Sequence, residues 1–234
     1  MTQNVTKFIT INLNKKSMNK KVAVIGATGF VGTQVVKELA NRGFEVEAIV
    51  RDVSKVNETE TVKAKSVDVN NVEDLAEALK GNDAVINTFN AGWTNPNLYN
   101  DFLNGSINIE KAVEKSGVKR FITVGGAGSL FIDGNQLVDG PDFPTDIKPG
   151  ATAARDYLNK IKENTTLDWT FFSPAIEMHP GTAGIRTGKY RTALENPVFN
   201  EEGRSVLSVE DVAVVLVDEL EQNNHIRERF TAAY

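Results

Sequence analysis

The sequence contains no cysteine and only two histidines, His179 and His225. Disulfide bonds, thiol nucleophiles and iron–sulfur ligation are therefore excluded, and a zinc site would be short of ligands. We expect no metal site. Any redox chemistry must then come from an organic cofactor.

Long hydrophobic runs and blocks of basic residues are also absent. No apolar stretch approaches the roughly 20 residues that span a bilayer, and 26 Lys and Arg residues face 31 Asp and Glu residues, for a formal net charge of −5. Because nucleic acid binding needs clustered cations, neither nucleic acid nor a membrane is predicted as a partner. The N-terminus lacks the apolar core and cleavage pattern of a secretory signal, so the predicted location is cytoplasmic.

The length of 234 residues suits one compact domain. We predict a single domain over residues 18–234, preceded by an extension, residues 1–17, for which ordered and poorly ordered states are equally compatible with the sequence. The last predicted helix carries an apolar face that the domain's own core can cover. A monomer and a homodimer therefore both remain open.

Short β-branched runs alternate with segments of helical period along the chain. Strands are predicted over residues 21–25, 46–50, 62–67, 84–88, 120–124 and 168–173, and helices over 30–42, 72–79, 97–116, 149–164 and 208–222. This alternation, with nearly continuous apolar strands, is typical of a parallel sheet covered on both faces. We predict an α/β Rossmann-type, doubly wound, mainly parallel sheet. The irregular segment 174–205 is predicted to be a small C-terminal insert on the substrate side.

The strongest motif is a glycine-rich turn that follows the first predicted strand. Gly26, Gly29 and Gly32 lead directly into a helix. In a βαβ unit such glycines permit the tight turn, the approach of backbone to a pyrophosphate, and close packing of helix on strand, while the helix N-terminus supplies amide donors. We therefore predict a nicotinamide dinucleotide site here.

The end of the second predicted strand indicates which dinucleotide is bound. Arg51 stands where an NAD-specific site usually places an acidic side chain, with Ser54 and Lys55 close by. A guanidinium suits a 2′-phosphate, so NADPH is favoured over NADH. The alternatives are that Asp52 points inward or that Arg51 is solvated.

Further cofactor contacts are predicted where other strands end. Asp68 is predicted to accept from the adenine amine, although capping of the next helix is an equal alternative. The remaining predicted contacts follow from the geometry of the fold: they are Thr28, Phe30, Val31, Val69, Thr88, Phe89, Asn90, Val124, Gly125, Gly126 and Pro174.

With these residues placed, residues 18–234 resemble the atypical short-chain dehydrogenase/reductases, specifically the NmrA-like group that includes proteins named NADH-flavin reductases. The segments that carry the resemblance are 25–32, 108–124, 124–129, 139–144, 167–170, 173–174, 186–191 and 226–231. The resemblance implies a Rossmann fold, an NAD(P) site, and reduction of a flavin, a quinone or a related acceptor. FMN or FAD would then be a substrate.

The sequence departs from the wider superfamily at its catalytic Tyr-x-x-x-Lys pair. Tyr157 is followed four positions later by Ile161. Alignment on Asp156 instead places Lys148 and Thr152 where tyrosine and lysine would stand. Alcohol–ketone chemistry that uses a tyrosine acid is therefore not expected. A conjugated acceptor asks less of the protein, because preorganised donors can meet the developing charge.

Three side chains are candidate catalytic donors: Ser129, Lys189 and His179. Each has a structural alternative, since Ser129 suits a turn hydroxyl, Lys189 and its neighbour Arg191 suit solvated surface charges, and His179 suits an exposed loop. Three aromatic residues could stack on a planar substrate or belong to the core: Trp93, Phe89 and Phe131.

Two functions fit these features. The first is an NAD(P)H-dependent oxidoreductase that transfers hydride to a small planar acceptor such as a flavin or quinone. The second is a non-catalytic NADP(H)-binding redox sensor of the NmrA type, which the missing catalytic pair fits equally well. An epimerase or dehydratase is less favoured, because such enzymes in this superfamily also rely on the absent tyrosine.

Overall fold

The computed structural model describes residues 20–234, and the predicted extension, residues 1–17, lies outside the described residues. The strands are β1 (Lys21–Ile25), β2 (Glu45–Val50), β3 (Val62–Ser66), β4 (Ala84–Asn87), β5 (Arg120–Val124), β6 (Phe131–Ile132), β7 (Asn135–Gln136), β8 (Asp168–Ser173), β9 (Arg191–Ala193) and β10 (Glu228–Ala233). The helices are α1 (Phe30–Asn41), α2 (Val72–Leu79), α3 (Leu98–Ser116), α4 (Lys148–Ile161) and α5 (Val209–Gln222).

Eight strands form one sheet in the order β3-β2-β1-β4-β5-β8-β10-β9. Neighbouring strands are parallel except β10 and β9. The strand order reverses between β1 and β4, and in a doubly wound sheet the crevice beyond the carboxyl ends at this point is where ligands bind. The predicted Rossmann-type fold is confirmed.

Two cores cover the sheet, one on each face. Alternate residues of β1 enter opposite cores: Val22 and Val24 join α1 and α5, whereas Ala23 and Ile25 join α2, α3 and α4. Because both faces of the central strands are buried, most positions of these strands are apolar. This burial explains why continuous apolar runs identified them in the sequence.

The short strands were not predicted. β6 and β7 form a two-stranded antiparallel hairpin whose turn holds Asp133 and Gly134 at positive φ. Asp-Gly is a strong signal for such a turn, but strands of two residues carry no measurable period. In the predicted insert, β9 adds an antiparallel edge to β10.

Candidate dinucleotide and substrate site

The turn between β1 and α1 is too tightly packed for side chains at two of its glycines. Gly26 has a φ of +77°, and a Cβ there would lie 2.9 Å from the carbonyl oxygen of Thr88. A Cβ on Gly32 would lie 2.2 Å from the Gly26 carbonyl oxygen. Gly26 also donates to the carbonyl of Ile49 at 3.1 Å, which ties the turn to β2. Glycine at 26 and 32 therefore allows the start of α1 to pack directly against the carboxyl end of β1.

The N-terminus of α1 is left open for an anion. Its N-cap is Gly29, none of the described side chains caps it, and its first turn holds no acidic residue. The first amides of a helix have no partner within the helix, and the helix dipole favours negative charge there. Thr28 and Phe30 are exposed beside this end, and Val31 packs against the core. These residues fit a dinucleotide diphosphate.

Thr88, after β4, supports the turn from below. Its buried hydroxyl donates to the Ile25 carbonyl at 2.8 Å. The next side chain, Phe89, turns inward and stacks on Phe102, with ring centroids 6.1 Å apart. Asn90 is exposed, and its Oδ1 accepts from the Gly92 amide at 2.7 Å. The side chains of Thr88 and Phe89 are thus engaged within the protein. Of the contacts predicted at 88–90, the backbone and the exposed Asn90 side chain are the parts that face the carboxyl ends of the strands.

The residues after β2 include a cation, Arg51, and a carboxylate, Asp52, which differ in whether they have protein partners. Arg51 is exposed, and its guanidinium makes no hydrogen bond or ion pair with any residue that the structure describes. Asp52 caps a short 3-10 turn and accepts from the Ser54 hydroxyl at 2.6 Å and the Ser54 amide at 3.1 Å. These bonds lower the pKa of the Asp52 carboxyl. The carboxylate is thus satisfied within its own turn, and Lys55 lies 4.0 Å from it.

Asp68 follows β3 and is exposed at the same edge of the sheet. Its Oδ1 accepts from the Asn70 amide at 2.9 Å. The cap of α2 is Asn71, whose side chain accepts from the Asp74 amide at 3.2 Å. Capping is therefore done by Asn71 and not by Asp68, while Val69 packs against the α2 core.

The loop after β5 is shaped by packing on β8. A Cβ on Gly125 would lie 1.9 Å from the ring of Phe171, whereas one on Gly126 would lie an ordinary 3.6 Å from the Cβ of Ala154. Val124 is half-buried, and Pro174 after β8 is buried. Gly125 is therefore required by the core, independently of any ligand.

Ser129 lies below this loop and is only 1% exposed. Its Oγ is 3.1 Å from both the Gly126 carbonyl and the Ser173 hydroxyl. The guanidinium of Arg229 donates to the Ser129 carbonyl at 3.2 Å. The hydroxyl is thus engaged by protein partners in a buried polar cluster.

The other candidate donors lie in the insert. The Nδ1 of His179 accepts from the Gly181 amide at 3.1 Å and so caps a 3-10 turn. Lys189 is exposed, and Arg191 donates to the carbonyls of Phe199 and Tyr234. Ser129, His179 and Lys189 form no hydrogen bond or ion pair with one another among the described residues, so the structure does not bring them together.

A buried carboxylate that holds the insert was missed by sequence reasoning. Asp211 accepts from the Thr187 amide at 3.0 Å, the Thr187 hydroxyl at 2.6 Å, the Gly188 amide at 2.8 Å and the Tyr234 hydroxyl at 2.6 Å. The available signal was the spacing of Ser208 and Asp211 before an apolar run, which is typical of a helix start. Ser208 does cap α5.

The helix expected to carry the catalytic pair buries its tyrosine. Tyr157 in α4 is fully buried and packs against Phe171, with ring centroids 6.4 Å apart. Ile161 is also fully buried. Tyr99 of α3 directs its hydroxyl to Asp156 at 2.7 Å. The Tyr157 hydroxyl is therefore closed to a substrate, and the proton of the Tyr99 hydroxyl is already donated to Asp156.

Comparison with known proteins agrees with this geometry. A sequence model of the NAD(P)H-binding family matches residues 26–223. The YwnB protein of Bacillus subtilis is 39% identical over 214 residues, which cover 90% of this chain and 97% of YwnB. No helix among residues 20–234 has the length and apolar character to cross a membrane.

Two solved structures cover nearly the whole described chain. One, from Bacteroides thetaiotaomicron and described as a candidate epimerase, has a TM-score of 0.84 and 44% identity over 92% of this chain and 97% of that one. Another, from Streptococcus pneumoniae and described as a candidate NADH-flavin reductase, has a TM-score of 0.78 and 39% identity over 92% and 99%. The predicted resemblance is confirmed, and the chain belongs to the NAD(P)H-binding family of Rossmann-fold proteins.

Proposed function

We propose that this protein is an NADPH-dependent reductase that passes hydride to a small planar conjugated acceptor, such as a flavin or a quinone. The observation that carries the proposal is the open N-terminus of α1 above a turn in which glycine is sterically required at 26 and 32. The dinucleotide, when bound, supplies the hydride. The chain's own residues hold its diphosphate through the first amides of α1.

The preference for NADPH is supported by the charges after β2. The guanidinium of Arg51 has no protein partner among the described residues, whereas the Asp52 carboxylate is satisfied by Ser54. A planar, permanently charged fork suits phosphate oxygens. A free carboxylate at this position would instead favour the ribose hydroxyls of NADH.

The class of acceptor is supported by what the catalytic half of the site holds. The hydroxyls of Ser129 and Tyr157 are buried, and that of Tyr99 is bonded to Asp156. Reduction of a ketone needs an acid at the developing alkoxide. A flavin or quinone spreads the developing charge over its own ring, so positioning beside the dinucleotide supplies much of the acceleration.

The test is steady-state oxidation of NADPH in the presence of FMN, FAD and quinones, with Arg51→Gln and Lys111→Gln as a matched pair. Lys111 is an exposed cation on α3. We expect Arg51→Gln to raise the Kd of NADPH about tenfold or more, with NADH binding unchanged. Lys111→Gln should change neither.

Turnover that never exceeds the uncatalysed rate would refute the reductase. Tight binding of NADP+ and NADPH without any turnover would instead support a redox sensor. Equal effects of Arg51→Gln on NADPH and NADH would refute the assigned phosphate contact. We further propose that the protein is cytoplasmic and acts as a monomer or a homodimer.

A further inference from the structure

Trp93 is a large aromatic side chain that the fold leaves in solvent. It lies in the loop between β4 and α3 and is 60% exposed, whereas the chain's other tryptophan, Trp169, is 2% exposed. Exposed apolar side chains are common, but an indole of this size forfeits a substantial gain from burial. Its placement therefore calls for a functional explanation.

The loop that carries Trp93 is fixed by its own hydrogen bonds. Gly92 has a φ of +96°, and its amide donates to the Asn90 side chain at 2.7 Å. The Gly92 carbonyl accepts from the Asn95 amide at 3.0 Å, and the Asn95 side chain donates to the Ala91 carbonyl at 3.2 Å. The backbone is thus held on both sides of the indole.

The indole lies against the first turn of α4. A Cβ on Gly150 would lie 3.1 Å from Cζ3 of Trp93 and 3.0 Å from Leu98. Only glycine therefore lets the ring approach this closely without displacement. With 60% of Trp93 exposed, this contact leaves much of the side chain accessible.

The indole lies at the carboxyl end of the sheet, on the side where the acceptor is expected to bind. Trp93 follows the end of β4, and α4 begins beside the loop that follows β5, so both lie across the β1/β4 switch point from Arg51. Ile147, the N-cap of α4, is 41% exposed and adds aliphatic surface at the same helix start. The dinucleotide's phosphate-binding half lies on the other side of this point.

We propose that Trp93 is the stacking surface for the acceptor's planar ring and so determines the acceptor class. This inference rests on the proposed reductase function and names the residue that selects its substrate. Aromatic rings prefer offset-stacked or edge-to-face contact, and an exposed indole can offer such contact to a conjugated ring. The acceptor is therefore expected to be recognised by its ring system and not by an attached phosphate.

Riboflavin is the probe, because it presents the isoalloxazine ring without a phosphate. Trp93→Leu should raise the KM for riboflavin about five- to tenfold, with kcat within about twofold. Trp93→Phe should recover most of the loss, since it restores an aromatic face. Lys111→Gln is the control, because it changes an exposed side chain of α3 outside the site and should leave KM unchanged.

Equilibrium binding separates this inference from the proposed function. Riboflavin titrated into the complex with NADP+ should quench the fluorescence of exposed Trp93. Calorimetric titration of the same complex should show that Trp93→Leu weakens riboflavin binding by the same factor as it raises KM. An unchanged KM or an unchanged riboflavin affinity in Trp93→Leu overturns the stacking role. A matching loss of NADPH affinity also overturns it, because Trp93 would then only support the loop. If the wild-type protein reduces no acceptor, the proposed reductase fails, and riboflavin binding still decides the role of Trp93.

Discussion

A single methyl group should have different effects at two glycines of the β1–α1 turn: loss of stability at Gly32 and loss of NADPH affinity at Gly29. A Cβ on Gly32 would lie 2.2 Å from the Gly26 carbonyl oxygen and 2.7 Å from Thr88 Oγ1. A carbon and an oxygen normally stay about 3.3 Å apart or more, so α1 would have to move by about 1 Å. Overpacking of this kind costs about 1–3 kcal/mol. We expect the upper end for Gly32→Ala, because the nearest atom belongs to the backbone.

At Gly29 the same change should leave the fold nearly intact. Its φ is −77°, which alanine adopts, and a Cβ would lie 3.2 Å from the Gly26 carbonyl oxygen. Loss of stability should stay within about 1 kcal/mol. The new methyl group would stand at the uncapped N-terminus of α1, however, and should raise the Kd of NADPH about tenfold, which corresponds to about 1.4 kcal/mol.

Thermal unfolding without nucleotide, followed by calorimetric titration with NADPH, separates the two effects, since bound ligand would itself raise the Tm. For a chain of this length each kcal/mol shifts the Tm by about 2–4 °C. A loss of about 3 kcal/mol in Gly32→Ala should therefore lower the Tm by about 6–12 °C. A wild-type Tm for Gly32→Ala would refute the steric argument. Wild-type NADPH affinity in Gly29→Ala would refute the placement of the diphosphate.

Two further predictions concern buried carboxylates. Burial raises the pKa of Glu110, so the contribution of its neutral carboxyl to stability is lost as pH rises through that raised value. Glu110→Gln keeps a neutral side chain at every pH. It should therefore raise the urea midpoint at pH 8 and leave the midpoint unchanged at pH 4. Burial also opposes ionisation of Asp211, but hydrogen bonds led by that from Thr187 outweigh it and lower the pKa, so its stabilisation is lost as pH falls through the lowered value. Asp211→Asn should cost about 1–3 kcal/mol at pH 7 and give a flatter acid limb in urea unfolding; an unchanged limb would show that Asp211 does not hold the insert.

The parts of the fold that could be predicted are those with local causes. The strand over Lys21–Ile25 was recognised because both of its faces are buried, and α2 over Val72–Leu79 because its apolar positions recur at helical spacing. The glycine turn was recognised because it joins two such elements. Positive φ at Gly26 follows from the turn itself, so no distant contact had to be known.

The candidate donors could not be assigned in the same way, because their surroundings depend on distant parts of the chain. Ser129 is buried by Arg229, one hundred positions further on, and by Ser173 of β8. Nothing near Ser129 in the sequence indicates either contact. The exposure of a side chain also depends on distant parts of the chain. Trp93 and Trp169 differ in burial because only Trp169 lies within a strand covered on both faces.

The carboxyl end of the sheet therefore has two halves, on either side of the β1/β4 switch point, that differ in how they are built. This difference bears on function. The half between β1 and β2 is made of backbone amides and a steric demand for glycine, so few substitutions are tolerated there. The half beyond β4 presents side chains from the loop that carries Trp93 and from the start of α4, where a new residue changes the surface without disturbing the turn. A protein built in this way can keep one cofactor while its acceptor changes. Relatives that share the first half are then expected to differ in substrate according to the residue that stands at the position of Trp93.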